Sequence, residues 1–103
     1  MKQLTLIVGM KAAQDMIDQL RMMEPIHGFT LSHVQGHGEQ NDNDPFLSAR
    51  DKVVGYSPRA RIDVVLTDDD LKPVLNALRE LKEQGLVKSS YYWVLPVEES
   101  GRL

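Results

Sequence analysis

The stretch from Arg59 to Leu71 reads RARIDVVLTDDDL, and two periodicities meet inside it. Ala60, Ile62, Val64 and Leu66 alternate with Arg59, Arg61 and Asp63. Successive side chains on a strand point to opposite faces, so this alternation describes a strand with one apolar side. The pattern changes at Thr67. A hydroxyl able to cap free amides precedes Asp68, Asp69 and Asp70, whose carboxylates suit the positive end of a helix dipole. Leu71, Val74, Leu75, Leu78 and Leu81 then follow at helical spacing. The spacing predicts a helix that ends near Gln84 and Gly85, with the glycine as a left-handed cap.

A strand-then-helix unit also opens the chain. Leu4, Leu6 and Val8 alternate with Thr5 and Ile7, which predicts a strand over 3–8. Ala13, Met16, Ile17 and Leu20 predict a helix over about 11–24, stopped by Pro25 because the residue before a proline is pushed out of helical geometry. Phe29, Leu31 and His33 alternate with Thr30, Ser32 and Val34, a strand over about 28–36. SYYWVLPV, rich in aromatic and branched residues, gives a last strand over about 89–95, limited by Pro96.

The order βαββαβ predicts an α+β ferredoxin-like plait: a four-stranded antiparallel sheet with two helices on one face. The other face has no helix, so Tyr91, Trp93 and Ile7 there would be exposed unless another copy covers them. A homo-oligomer is expected. At 103 residues there is room for one domain only. A net charge of −3 supplies no reason to seek nucleic acid or an anionic membrane. Without cysteine there are no disulfides, thiolate metal sites or thiol nucleophiles. The opening MKQLTLIVG has too short an apolar run for membrane insertion or a signal peptide, so the expected location is cytoplasmic.

A hairpin turn of two to five residues would normally join neighbouring strands, yet the second and third are separated by a loop of about 38–57. Loops of that length are either functional or simply mobile. The far half carries Phe46, Leu47, Arg50, Lys52 and Tyr56, and a partner-binding loop is the expectation. Its base, Gly36-His37-Gly38, lets the backbone turn sharply and lets a ligand approach amides closely; a plain hinge reads equally well from the spacing. Arg50, Lys52, Arg59 and Arg61 could meet an anionic ligand, a neighbour's carboxylates or only water.

Taken together, VQGHGEQ closing the second strand, the long loop, PRARIDVVLTDDDL and the final WVLPV resemble the PII signal-transduction family over Leu4 to Val97. The ending YYWVLPVEESGRL is most similar to short PII-like proteins of unassigned function. The resemblance implies a homotrimer that binds an adenine nucleotide (ATP, ADP or AMP) between subunits. It implies that the long loop changes shape and docks on a transporter, enzyme or regulator. By position, Gly36, His37, Gly38 and Gln40 would form the loop base at the ligand, Ile7 and Val65 would line the adenine, and Arg102 would reach phosphate. The family's glycine-rich connection before the last strand is here EQGLVKSSYYW, with Gly85 and Lys88 alone matching it. The loop's modifiable tyrosine is replaced near Lys52, so no such modification is expected.

His33, His37 and Glu39 would share a side if the second strand ran that far, and imidazoles with a carboxylate suit divalent zinc, copper or nickel. The alternative function is therefore divalent metal binding in heavy-metal tolerance, of the kind seen in CutA trimers. The bland counterpart is a set of surface histidines. Glu39, Asp42 and Asp44 lack the glycine and distal glutamate of a calcium loop. No nucleophile or base held by a second group is visible, so an enzyme is not expected. The third strand also lacks the stacking aromatics of an RNA-recognition domain.

Overall fold

The computed structural model describes residues 1–38, 55–87 and 90–103. The elements run β1 (Lys2–Gly9), α1 (Met10–Met22), β2 (Thr30–Gly36), β3 (Ser57–Leu66), α2 (Asp68–Glu83) and β4 (Tyr91–Pro96). Every neighbouring pair of strands is antiparallel and the sheet order is β2-β3-β1-β4. Since β3 lies antiparallel to both β1 and β2, those two strands are parallel, and α1 is the crossover between them. Helix α2 makes the equivalent crossover from β3 to β4. This is the predicted plait.

The register explains the alternation in the sequence. Leu4, Leu6 and Val8 pair with Val64, Ile62 and Ala60, and all six are buried on the helix side. Ala13, Met16 and Leu20 of α1 and Val74, Leu78 and Leu81 of α2 close the core above them. The Thr67 hydroxyl accepts a hydrogen bond from the Asp70 amide at 3.2 Å, so the cap read from the sequence is present. At the other end Gly85 takes φ +79°, and its amide and that of Leu86 reach the carbonyls of Lys82 and Leu81 at 3.0 Å. That is the left-handed cap a side chain would disfavour.

Several boundaries move, and β1 runs Lys2–Gly9 rather than 3–8. Helix α1 stops at Met22 rather than 24, because Met23 is extended and its amide bonds back to the Leu20 carbonyl at 3.2 Å. Strand β2 starts at Thr30, opposite Asp63, rather than at 28. Strand β4 covers Tyr91–Pro96 rather than 89–95: Pro96, opposite Lys2, sits at the end of an edge strand, where a missing amide is tolerated.

Candidate functional site

Two regions carry polar chemistry: the base of the long loop and the helix-free face of the sheet. At the loop base, β2 and β3 pair as far as Gly36 opposite Ser57. The Arg59 side chain then lies directly against Gly36. A Cβ built on Gly36 would sit 2.6 Å from the Arg59 Nε and 2.7 Å from its Cδ. Glycine is present here because the arginine occupies the space a side chain would need. Arg59 Nε donates to the Ser57 hydroxyl at 3.1 Å, and Arg59 is only 6% exposed. Above this pair, the His37 and Tyr56 rings face each other at 5.5 Å between centroids, and the His37 Nε2 lies 3.3 Å from the Gln35 Oε1. Gly55 takes φ +80° beside Tyr56, so the return limb also turns through glycine.

On the helix-free face, Asp63 is the hub. It accepts from the Thr5 hydroxyl at 2.7 Å, from the Gln3 amide at 3.1 Å and from Arg61 Nε at 3.1 Å. Burial alone would push its carboxyl up. The hydrogen bonds from Thr5 and Arg61, the Arg61 charge and the Gln3 bond outweigh that, and the carboxyl is held below its ordinary range. The Arg61 guanidinium carbon sits 5.6 Å from the centre of the Trp93 ring, which itself meets Tyr91 at 6.2 Å.

This alters the expected character of that face. Tyr91 is 62% exposed, while Ile7 and Trp93 are half-buried. The centre is polar, with Thr5 fully buried within the network. The greasy part is a band along β4 and its flank. Arg61 meets a carboxylate of its own chain, and Arg59 is buried. Sequence reasoning missed the hub, although Arg59, Arg61 and Asp63 at alternate positions already placed one carboxylate and two cations on one face.

The resemblance-derived positions separate along the sheet. Gly36, His37 and Gly38 lie at one end, beside Ser57. Val65, 44% exposed, lies at the other, opposite Gln3. Val65 lies eight residue steps beyond Ser57 along β3, roughly 27 Å at the rise of an antiparallel strand. Ile7 is between them, opposite Arg61. Arg102 is exposed in the tail beyond β4, which leaves the sheet where Val97 donates to the Met1 carbonyl, at the Val65 end. One chain therefore does not bring these residues together. Gln40, Glu39, Phe46, Leu47, Arg50, Lys52 and Lys88 lie outside the described residues. Tyr56, a residue of the expected partner-binding loop, is half-buried and packs on His37. His33 and His37 are both exposed, and among the described residues no three metal-ligating side chains form a group that could hold an ion.

A plait with a long insertion between its second and third strands, and a glycine pair at the base of that insertion, is the architecture of a PII-like protein. The whole chain, residues 1–103, matches the model of the family described as "Protein of unknown function (DUF3240)", and the protein belongs to that family. A DUF3240 protein from Shewanella baltica OS155 has a crystal structure that superposes with a TM-score of 0.76 at 20% identity, covering 99% of this chain and 94% of that one. The nitrogen regulatory protein P-II 1 of Methanothermobacter thermautotrophicus is 28% identical over 103 residues, 100% of this chain and 89% of its own. The nitrogen regulatory protein P-II of Rhizobium leguminosarum bv. viciae is 27% identical over 78 residues, 76% of this chain and 70% of its own.

Proposed function

We propose that this protein is a small regulator that works as a homotrimer. An adenine nucleotide binds between subunits and selects one shape of the long loop, which then holds or releases a partner protein. The observation that carries this reading is the separation just described. The glycine end and the Val65 end cannot form one pocket within a chain, but they can if neighbouring copies lie head to flank. The half-buried and exposed aromatics along β4 give those copies a reason to associate. The full-length match to a protein named as a nitrogen regulator supports the regulatory role. The switch needs no covalent chemistry: a ligand shifts the loop's population by as much as it prefers one state over the other.

Calorimetry with ATP, ADP and AMP tests it, alongside sedimentation to give the mass of the assembly. At least one nucleotide is expected to bind saturably at one per chain. The informative variant is Gly38→Val. Among the described residues a Cβ there meets nothing within 4 Å, so a loss of about tenfold or more is the effect expected where the ligand approaches the backbone. Failure of all three nucleotides to bind at millimolar concentration would overturn the reading. Zinc binding that disappears in a His33→Ala, His37→Ala variant would put metal binding in its place.

A further inference from the structure

The helix side of the sheet is not filled over β4. Helix α1 and the core face of α2 cover β3 and β1, leaving a gap of about 440 Å³ lined by residues of α2 and β4 and by Val87 and Ser90. Its floor is apolar: Leu6 and Val8 from β1, Met16 from α1 and Leu78 from α2. Water in such a space finds few polar partners. Its rim is cationic. Arg79 and Lys82, three residues apart and so on one side of α2, both line it. Arg79 is held by two neutral oxygens, Asn76 Oδ1 and Tyr92 Oη, each at 3.3 Å. The bond to Tyr92 links α2 to β4 at the edge of the gap. Among the described residues no carboxylate lines the space or pairs with either cation.

An apolar floor beneath two cations with no carboxylate partner matches one chemistry. We propose that this gap binds a small amphiphilic carboxylate, with its hydrocarbon or aryl body on the Leu6–Val8 floor and its head at Arg79 and Lys82. The volume falls within the span of small-molecule sites, roughly 300–1,000 Å³. Arginine's planar fork suits a carboxylate, and the Arg79–Tyr92 bond pre-positions it. The Leu6–Val8 floor lies on the helix side of the sheet, while Tyr91, paired with Ile7, reaches the edge of the gap from the strand end.

Octanoate, titrated by calorimetry and followed by amide chemical-shift mapping on the intact protein, tests the proposal, with octan-1-ol as the neutral control. Octanoate is expected to saturate at one per chain and to move the amides of Leu6, Val8 and Leu78 while leaving those of Thr5 and Asp63 in place. Octanol should bind at least tenfold more weakly. The variant Arg79→Gln, Lys82→Gln alters only exposed side chains and should bind octanoate about tenfold or more weakly with its melting temperature nearly unchanged. Any of three results overturns the proposal: no saturation, equal binding of octanol, or undiminished binding by the double variant.

Discussion

Asp63 shows how one side chain sets the character of a surface. Its carboxyl is depressed in the folded chain, so the stability it confers is present above the ordinary carboxylate range and lost as pH falls through the folded value. Asp63→Asn should therefore destabilise the protein by about 1–2 kcal/mol at pH 7. The difference between the two proteins should begin to shrink as pH drops below about 4, where the carboxyl of the unfolded chain takes up a proton, and should vanish only below the lower folded value. Urea unfolding at pH 7 and pH 3 measures both; a gap that stays constant would mean that the charge is not what Thr5, Gln3 and Arg61 hold. At this scale the sequence was only partly legible. The alternation of Arg59, Arg61 and Asp63 assigns them to one face, but their pairing depends on Thr5 and Gln3, brought opposite by the β1–β3 register. Gly36 was noticed for its freedom to turn. Its actual reason is the arginine lying against it, and a contact between a glycine and a residue 23 positions on leaves no local trace.

Helix α2 could be read almost completely from its residues, since cap, stripe and terminal glycine are all local features. One residue runs against the element. Pro73 sits inside the helix, where it removes a hydrogen bond to the Asp69 carbonyl and disfavours the turn by about 3 kcal/mol relative to alanine. The helix persists because burying Val74, Leu78 and Leu81 contributes about 1.5–3 kcal/mol each. Pro73→Ala should raise stability by about 2 kcal/mol, since proline also restricts the unfolded chain and so returns part of its penalty. A melting temperature that fails to rise would mean that Pro73 makes a packing contact worth as much as the missing bond. Strand ends were less legible than strand existence. The start of β2 is fixed by where β3 offers a partner, and the inward-facing residues of β4 face a gap as well as core, so hydrophobicity alone set neither boundary.

For the molecule as a whole, strand order and the two-layer arrangement followed from connectivity, because few topologies satisfy short crossovers between antiparallel neighbours. The surface did not follow so simply. Tyr91, Trp93 and Ile7 were expected to lie exposed on the helix-free face, yet Ile7 and Trp93 are half-buried and the middle of the face is a satisfied polar network. The gap beneath α2 left no pattern in the sequence, since its lining residues come from five separate segments. The division of Gly38 from Val65 along β3 also bears on genetics. If every pocket borrows its two halves from different copies, then two individually dead alleles, Gly38→Val and Val65→Glu, should complement each other when co-expressed. In a trimer that mixes them, one cleft in three inherits two intact halves, and purified hybrids should regain about a third of wild-type nucleotide capacity. Hybrids as inert as their parents would mean that each chain binds alone.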